Sequence, residues 1–546
     1  MNKLQFSNFT SNKANNAFFY LAGLAFLFFS VIGVILNIDV TANAFTLSDL
    51  PYLTILTITR IIISLAISSI LGLWIGIKMR RNKTFAENYL IPALDILQSI
   101  PLLAYITIIT GVLIFLFGNN AFVYNCAVIF GLMGAQIWNI VLCVYQYYEC
   151  IPSELITMSK IQGLNGYEKL LHLYLPYLSK PMIFNIMLSY SASWASVVIA
   201  ENIFIQTKSG SILEIELAGL GSFTSYALNN GIIFNLMVSA SLVLFLILAT
   251  YHLIFKHLLD YRLGSTGKYL INLFYLASTS VYMQPFIKLA NIIHNINKLN
   301  SLIKKYYILL LFPGLVWAVY TVIKTLIATS FAQITNLLFL GGLTALRVMI
   351  SVCISTILSA ILIIGLYFNQ NLIPYVTPIL NIGSALPTNI YYGLAFCLYV
   401  NNVPLELIVQ LLILSGTTWY MIYALIASLD YIKPEMIDLC QALRLDKFFV
   451  IRHIFLTYLK PNLVTGAIVT SGAAWSITVI CEFFYWYNQK LAVPGIGSYL
   501  SACYRNTPEH AFIALIVLAF YIVIVEKLLI KMIELLSKSI ARYNII

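Results

Sequence analysis

Long apolar runs, each near the ~20 residues a helix needs to cross a bilayer, alternate along this chain with short polar stretches. In the first half they predict spans over Ala17–Leu36, Pro51–Lys78, Leu90–Phe117, Phe122–Tyr148, Lys180–Ile205 and Ile232–Phe255. The second half predicts Tyr307–Ala328, Thr335–Phe368, Ile373–Val400, Leu405–Asp430, Lys460–Phe484 and Ala511–Ile533. Runs of this length read as helices rather than barrel strands. Ala42-Asn43-Ala44 mimics a signal cleavage site, but the apolar stretch before it exceeds the ~7–15 residues of a signal core, so 17–36 is read as a retained span. Proline interrupts the third span of each half, at Pro92 and Pro101 and at Pro374, Pro378 and Pro387. A packing kink and a place beside a water-lined path are both open readings there.

The pattern occurs twice. Trp138, Glu154, Trp194 and Glu201 recur as Trp419, Glu435, Trp475 and Glu482, all displaced by 281 positions in a chain with seven tryptophans. Gly219-Leu-Gly-Ser222 returns as Gly495-Ile-Gly-Ser498, and Thr57-Ile-Thr-Arg60 answers Thr344-Ala-Leu-Arg347. The implied organisation is a first repeat over 1–256, an amphipathic cytoplasmic linker over 257–306 and a second repeat over 307–546. Each repeat holds six spans, so the two are parallel, and about twelve transmembrane helices make an all-α polytopic protein. A duplicated apolar unit of this size points to a pathway built between like halves.

Composition sharpens this reading. With 61% hydrophobic and 9% charged residues, the chain cannot cover a water-facing surface of its own size. The net charge of +11 is placed as a positive-inside bias and does not form a nucleic-acid footprint. Lys78, Arg80, Arg81 and Lys83 cluster in one loop, and Lys527, Lys531, Lys538 and Arg542 lie in the tail, whereas Asp39, Asp49, Glu214 and Glu216 fall on the opposite side. Both termini are therefore expected in the cytoplasm. Eight cysteines without C-x-x-C spacing and six histidines without H-x-x-x-H pairing support neither metal nor redox chemistry. No nucleophile–base pattern suggests an enzyme, and no G-x-x-x-x-G-K-[ST] loop is present to bind ATP.

Arg60 and Arg347 fall inside the second span of each half, and Glu201 and Glu482 toward the outer ends of the fifth. An unpaired charge at bilayer depth costs at least ~2.5–3.5 kcal/mol, so these side chains are expected against protein or pathway. Arg–Glu pairing that locks spans two and five is favoured over a positive field for an anion. Trp194 and Trp475 are read either as path-lining or as packed.

The longest polar interruption lies between spans four and five of each half, at about 150–178 and 431–459. Each begins with a proline and a glutamate at a helix start, Glu154 and Glu435, where a carboxylate suits the helix dipole. A turn is expected at Asn165-Gly166 in the first and Leu445-Asp446 in the second, followed by a short basic helix. Such a helical pair forms a docking knob for a soluble partner.

These loops resemble the E-A-A, three residues, G, nine residues, I-x-L-P loop of the membrane subunits of binding-protein-dependent ABC importers. The first copy carries Thr157-Met158-Ser159, Gly163, Leu173, Leu175 and Pro176 at the right intervals. The second keeps Asp438, with Leu439-Cys440 after it, but has Arg444 for the glycine and Leu456-Thr457 for Leu-Pro. The Trp–Glu flanks and the Gly-x-Gly-Ser turns resemble the nitrate, sulfonate and taurine branch, and two permeases in one chain resemble its duplicated members. The resemblance implies a type I (MetI-like) importer fold in the bacterial inner membrane. It also implies two separate cytoplasmic ATPases seated on the two loops, an extracytoplasmic binding protein, and a small anion as substrate, with ATP used only by the partners. A fused permease for ferric iron or thiamine shares this design. A secondary transporter and a transport-dead paralogue are the readings from other classes.

Overall fold

The computed structural model describes residues 46–148, 151–164, 166–206, 212–255, 330–369, 388–429, 446–451, 456–486, 489–506 and 508–542, with isolated positions between 372 and 386 and at 442–443. The first and seventh expected spans and the linker over 257–306 lie outside the described residues.

The first set of helices begins with α1 (Leu50–Arg81), whose Pro51 stands at a position where no amide donor is required. It is followed by α2 (Ile91–Ser99) and α3 (Leu102–Phe117). The expected third span is therefore two helices. Ile100 is extended, with φ −69° and ψ 128°, because the ring of Pro101 excludes the helical region for the residue before it. Next come α4 (Ala121–Tyr147), capped by Asn120 accepting from the Val123 amide at 2.9 Å, then the short α5 (Ser153–Ile161) and the long α6 (Leu175–Ala200).

Two strands follow where the apolar pattern predicts continued helix. β1 (Asn202–Gln206) pairs antiparallel with β2 (Ile212–Glu216), Asn202 opposite Glu216. The fifth span accordingly ends at Ala200 and does not reach Ile205. The unit closes with α7 (Leu220–Asn229) and α8 (Ile233–Thr250).

From residue 331 the same order returns. α9 (Phe331–Phe368) starts at a capping box between Ser330 and Gln333, followed by α10 (Tyr392–Val400), α11 (Leu405–Leu429) and α12 (Leu456–Cys481). A hairpin of β3 (Phe483–Trp486) and β4 (Gln489–Ala492) then leads to α13 (Ile496–Asn506) and α14 (Pro508–Arg542). Here too the strand overrides an apolar run expected to stay helical to Phe484. Among the described residues, eight helices are long and apolar enough to cross a membrane. They coincide with the second, fourth, fifth, sixth, eighth, tenth, eleventh and twelfth expected spans.

Two large apolar clusters form the core, the second also taking in Ala227, Leu228 and Leu236 of the first set. In the first, Trp194, Phe223, Leu132 and Ile61 pack together; in the second, Trp475, Met421, Ile413 and Leu518 do. Helix approach depends on small residues. A Cβ on Gly72 or Gly76 of α1 would stand 2.6 Å from Ile140 or Val144 of α4, so Gly72-x-x-x-Gly76 allows α1 and α4 to lie side by side. The two sets meet where α2 rests on α12 and where Phe184 of α6 meets Tyr423 of α11 edge to face, ring centres 5.6 Å apart.

Candidate functional site: buried ion-pair hubs, a central cavity and an exposed helical knob

Arg60 is 1% exposed, and its guanidinium bonds to three separate segments. Nη1 donates to Glu201 Oε1 at 2.7 Å and to the Ala218 carbonyl at 2.9 Å, while Nε donates to Asn125 Oδ1 at 2.9 Å. Glu201, at the end of α6, also accepts from the Thr57 hydroxyl at 2.8 Å and from the Gly221 amide at 2.7 Å. Thr57 Oγ1 in turn accepts from the Leu220 amide at 2.8 Å. One carboxylate thus ties α1, α6 and the first turn of α7 together, and Asn125 adds α4. Gly221 is required by space: a Cβ there would lie 2.6 Å from the Val197 carbonyl.

The second set repeats this hub. Arg347 Nη1 donates to Glu482 Oε1 at 2.6 Å and Nη2 to the Pro494 carbonyl at 2.9 Å. Glu482 accepts from Thr344 Oγ1 and from the Gly497 amide, both at 2.8 Å, and Thr344 Oγ1 accepts from the Ile496 amide at 2.9 Å. At the place of Asn125 stands Glu406, which takes Nε and Nη2 of Arg347 at 2.9 and 2.7 Å. Buried ions of opposite sign repay their desolvation only with such complete hydrogen bonding, and removing one partner typically costs ~3–5 kcal/mol.

Between the sets lies a cavity of about 110 Å³ lined by equivalent positions of both. Ala192 faces it with Ala473, Ala195 with Ser476, and Asn139 with Tyr420, each pair separated by the 281 positions of the sequence repeat. Ile100 and Leu102, which flank Pro101, line it as well, so the break in the third span opens onto this space. Arg60, Arg347, Glu201 and Glu482 are not among its walls. Trp194 and Trp475 are fully buried in the two cores, and Trp138 is the tryptophan on the cavity.

At the other end of α4 and α6, the knob is formed by α5 and the turn after it. Glu154 lies exposed in the first turn of α5, and Thr157, also exposed, bonds back to the Ser153 carbonyl at 2.9 Å. Gly163, at φ +69°, ends the helix: its amide reaches the Lys160 carbonyl at 3.1 Å and the Leu164 amide reaches the Ser159 carbonyl at 3.1 Å. This is a Schellman closure, in which the left-handed residue is the one that glycine tolerates best. The helix therefore ends at Gly163; Asn165 of the expected turn lies outside the described residues. Pro176 stands where a π-helical turn over Leu170–Tyr174 passes into α6, an irregularity that accommodates its missing amide donor. Met158 and Ile161 project from α5, 53% and 80% exposed. Glu435, Asp438 and Arg444 of the second loop lie outside the described residues.

Residues 68–264, from the second half of α1 through the knob, Glu201 and α8, match the family model of the binding-protein-dependent transport system inner membrane component. The match supports a binding-protein-dependent ABC permease. No curated protein matches the chain. Permeases of this family are membrane transport components that generally work with ATPases and a binding protein. A multi-pass membrane protein agrees with the eight apolar helices.

Several residues of these sites carry little signal in the sequence. Asn125 and Glu406 differ in type, so the repeat between them is visible only through the common displacement of 281. Met158 and Ile161 are apolar yet exposed on α5, which their residue types do not announce. Gln136 holds Ser64 and Ser193 at 2.8 and 2.7 Å and accepts from Ser68 at 2.9 Å, a polar clasp among α1, α4 and α6 that no charge advertises.

Proposed function

We propose that this chain is the permease of an ATP-driven importer of the bacterial inner membrane, with both transmembrane halves in one polypeptide. What carries the reading is the pairing of equivalent positions around one cavity, Asn139 with Tyr420 and Ala195 with Ser476, inside a chain whose first half matches the permease family. A pathway between like halves, opened alternately to either side, needs this placement.

Energy enters through two cytoplasmic loops. In the first, Glu154, Thr157, Gly163 and Pro176 shape a knob that seats in one ATPase; in the second, Glu435, Asp438 and Arg444 do so in another. Closure of the ATPase pair on ATP moves both knobs and rocks the halves from inward- to outward-facing. The permease itself binds no cofactor, and an extracytoplasmic binding protein delivers the solute. A nitrate- or sulfonate-like anion is the substrate that the family resemblance implies. Its difficulty is that both buried arginines are already neutralised by Glu201 and Glu482.

The test is purification of the chain from its own cells in mild detergent, with co-purifying proteins identified and ATP hydrolysis measured. Two copies of a nucleotide-hydrolysing subunit per chain are expected. Charge reversal at Glu154 and Asp438 together is expected to release that subunit and stop transport; retention of both would show that the knobs are not the seats.

A further inference from the structure

The walls of the central cavity carry hydrogen-bonding groups but no charge. Gln98, Trp138 and Asn139 of the first half and Ser384, Thr388 and Tyr420 of the second line it, and among the described residues no Asp, Glu, Lys, Arg or His does. An ion entering this space would give up hydration without meeting an opposite charge, the costly arrangement at bilayer depth. A neutral molecule gives up far less and finds donors and acceptors on both sides.

One of those donors is unused. The Trp138 indole nitrogen is buried and has no hydrogen-bond partner among the described residues. In contrast, its counterpart Trp419 lies off the cavity and donates to the Ser415 carbonyl at 2.5 Å. The Trp194 and Trp475 indoles are unmet as well, but inside the cores; the Trp138 indole lines the cavity, where an acceptor on a bound molecule can complete it. Size limits that molecule. A cavity of ~150 Å³ takes the six carbons of benzene, so the 110 Å³ here takes about four to five non-hydrogen atoms.

We propose that this cavity binds a small solute, or the buried part of one, that has no net charge, an acceptor for the Trp138 indole and an apolar portion against the surrounding Ile and Ala side chains. That the bound solute is cargo rests on the importer reading above. The asymmetry of the walls adds direction. Asn139 takes the place that Tyr420 has in the second half, and Ser196 that of Ile477, so two unlike ends of one molecule meet unlike walls.

Three probes of one shape separate charge from size: propionamide, propionate and propionamidinium. They are titrated against the full chain in lipid nanodiscs, with binding read by saturation-transfer NMR. Propionamide is expected to bind at least tenfold more tightly than either ion. Trp138→Phe keeps a ring and removes the donor, and is expected to weaken propionamide about fivefold, the worth of one hydrogen bond. Trp419→Phe, off the cavity, leaves the affinity unchanged. Equal or tighter binding of propionate, failure of all three probes to bind, or indifference to Trp138→Phe overturns the assignment. The same chain purified from its own cells reports separately on the importer reading. Retained ATPase with a preference for propionate leaves the importer standing and removes the uncharged solute. Propionamide binding through Trp138 without any ATPase does the reverse.

Discussion

Asn125 and Glu406 occupy the same place beside the two buried arginines, one neutral and one charged. Asn125 Oδ1 meets Arg60 Nε at 2.9 Å, and Glu406 grips Arg347 with both oxygens at 2.9 and 2.7 Å. The first hub is therefore electrically balanced by Glu201 alone, whereas the second carries one carboxylate more than it has guanidinium. Glu406 is 57% exposed, so solvent screens its pairing. Glu406→Gln is expected to lower stability by about 1 kcal/mol or less. Glu482→Gln, at a carboxylate with no exposure, is expected to cost ~3–5 kcal/mol. Thermal unfolding of the two variants in one detergent ranks them; equal losses would contradict the geometry.

The same logic applies within the first hub. Arg60→Met leaves Glu201 buried without its cation, and Glu201→Gln leaves Arg60 without its anion. Each single change is expected to destabilise by ~3–5 kcal/mol, whereas the double change removes both charges and recovers much of that loss. A double-mutant cycle on unfolding measures the coupling. A stable Arg60→Met protein with altered solute selectivity would instead place Arg60 on the pathway.

Two glycines separate backbone strain from steric exclusion. At Gly163 an added Cβ meets nothing within 4 Å, so Gly163→Ala is charged only with the left-handed conformation at φ +69°, about 1 kcal/mol. At Gly221 the Cβ would press on the Val197 carbonyl at 2.6 Å and on the Glu201 carboxylate, groups that cannot swing aside. Gly221→Ala is expected to prevent accumulation of folded protein, while Gly163→Ala accumulates normally with a frayed α5. Membrane yield and proteolysis at 160–166 distinguish the two.

How much of this was readable in the residues differs by feature. Arg60, Glu201, Arg347 and Glu482 stood out because a charge in an apolar run must be explained and because each was repeated. Thr57 and Thr344 were visible as repeats, but their double role, donating to a carboxylate and accepting from an amide, needs three segments in contact. The hairpins after Glu201 and Glu482 were hidden because Ile203-Phe-Ile205 and Phe483-Phe-Tyr485 are as apolar as the helices they follow. Hydropathy marks burial without distinguishing a strand packed against protein from the last turn of a span. The cavity was hidden for a related reason. Gln98, Asn139 and Thr388 carry no charge and lie far apart in the chain, and only the packing of α2 on α12 brings such groups to one space.

The exposed apolar face of α5 yields the last prediction. Met158 and Ile161 are three positions apart on a helix and so share one side of it, with Thr157 and Glu154 adjacent. In an isolated chain these two side chains would be left against water, at 53% and 80% exposure, on a segment otherwise rich in polar residues. If an ATPase covers them, Met158→Lys with Ile161→Lys removes a buried apolar patch from the contact without touching either hub. The variant is expected to reach the membrane, to unfold at the same temperature as the parent, and to lose its co-purifying ATPase. Glu154→Gln, which alters only a screened charge at the rim, is expected to weaken that association by tenfold or less. Unchanged ATPase retention after the double lysine substitution would mean that α5 is not the surface an ATPase covers.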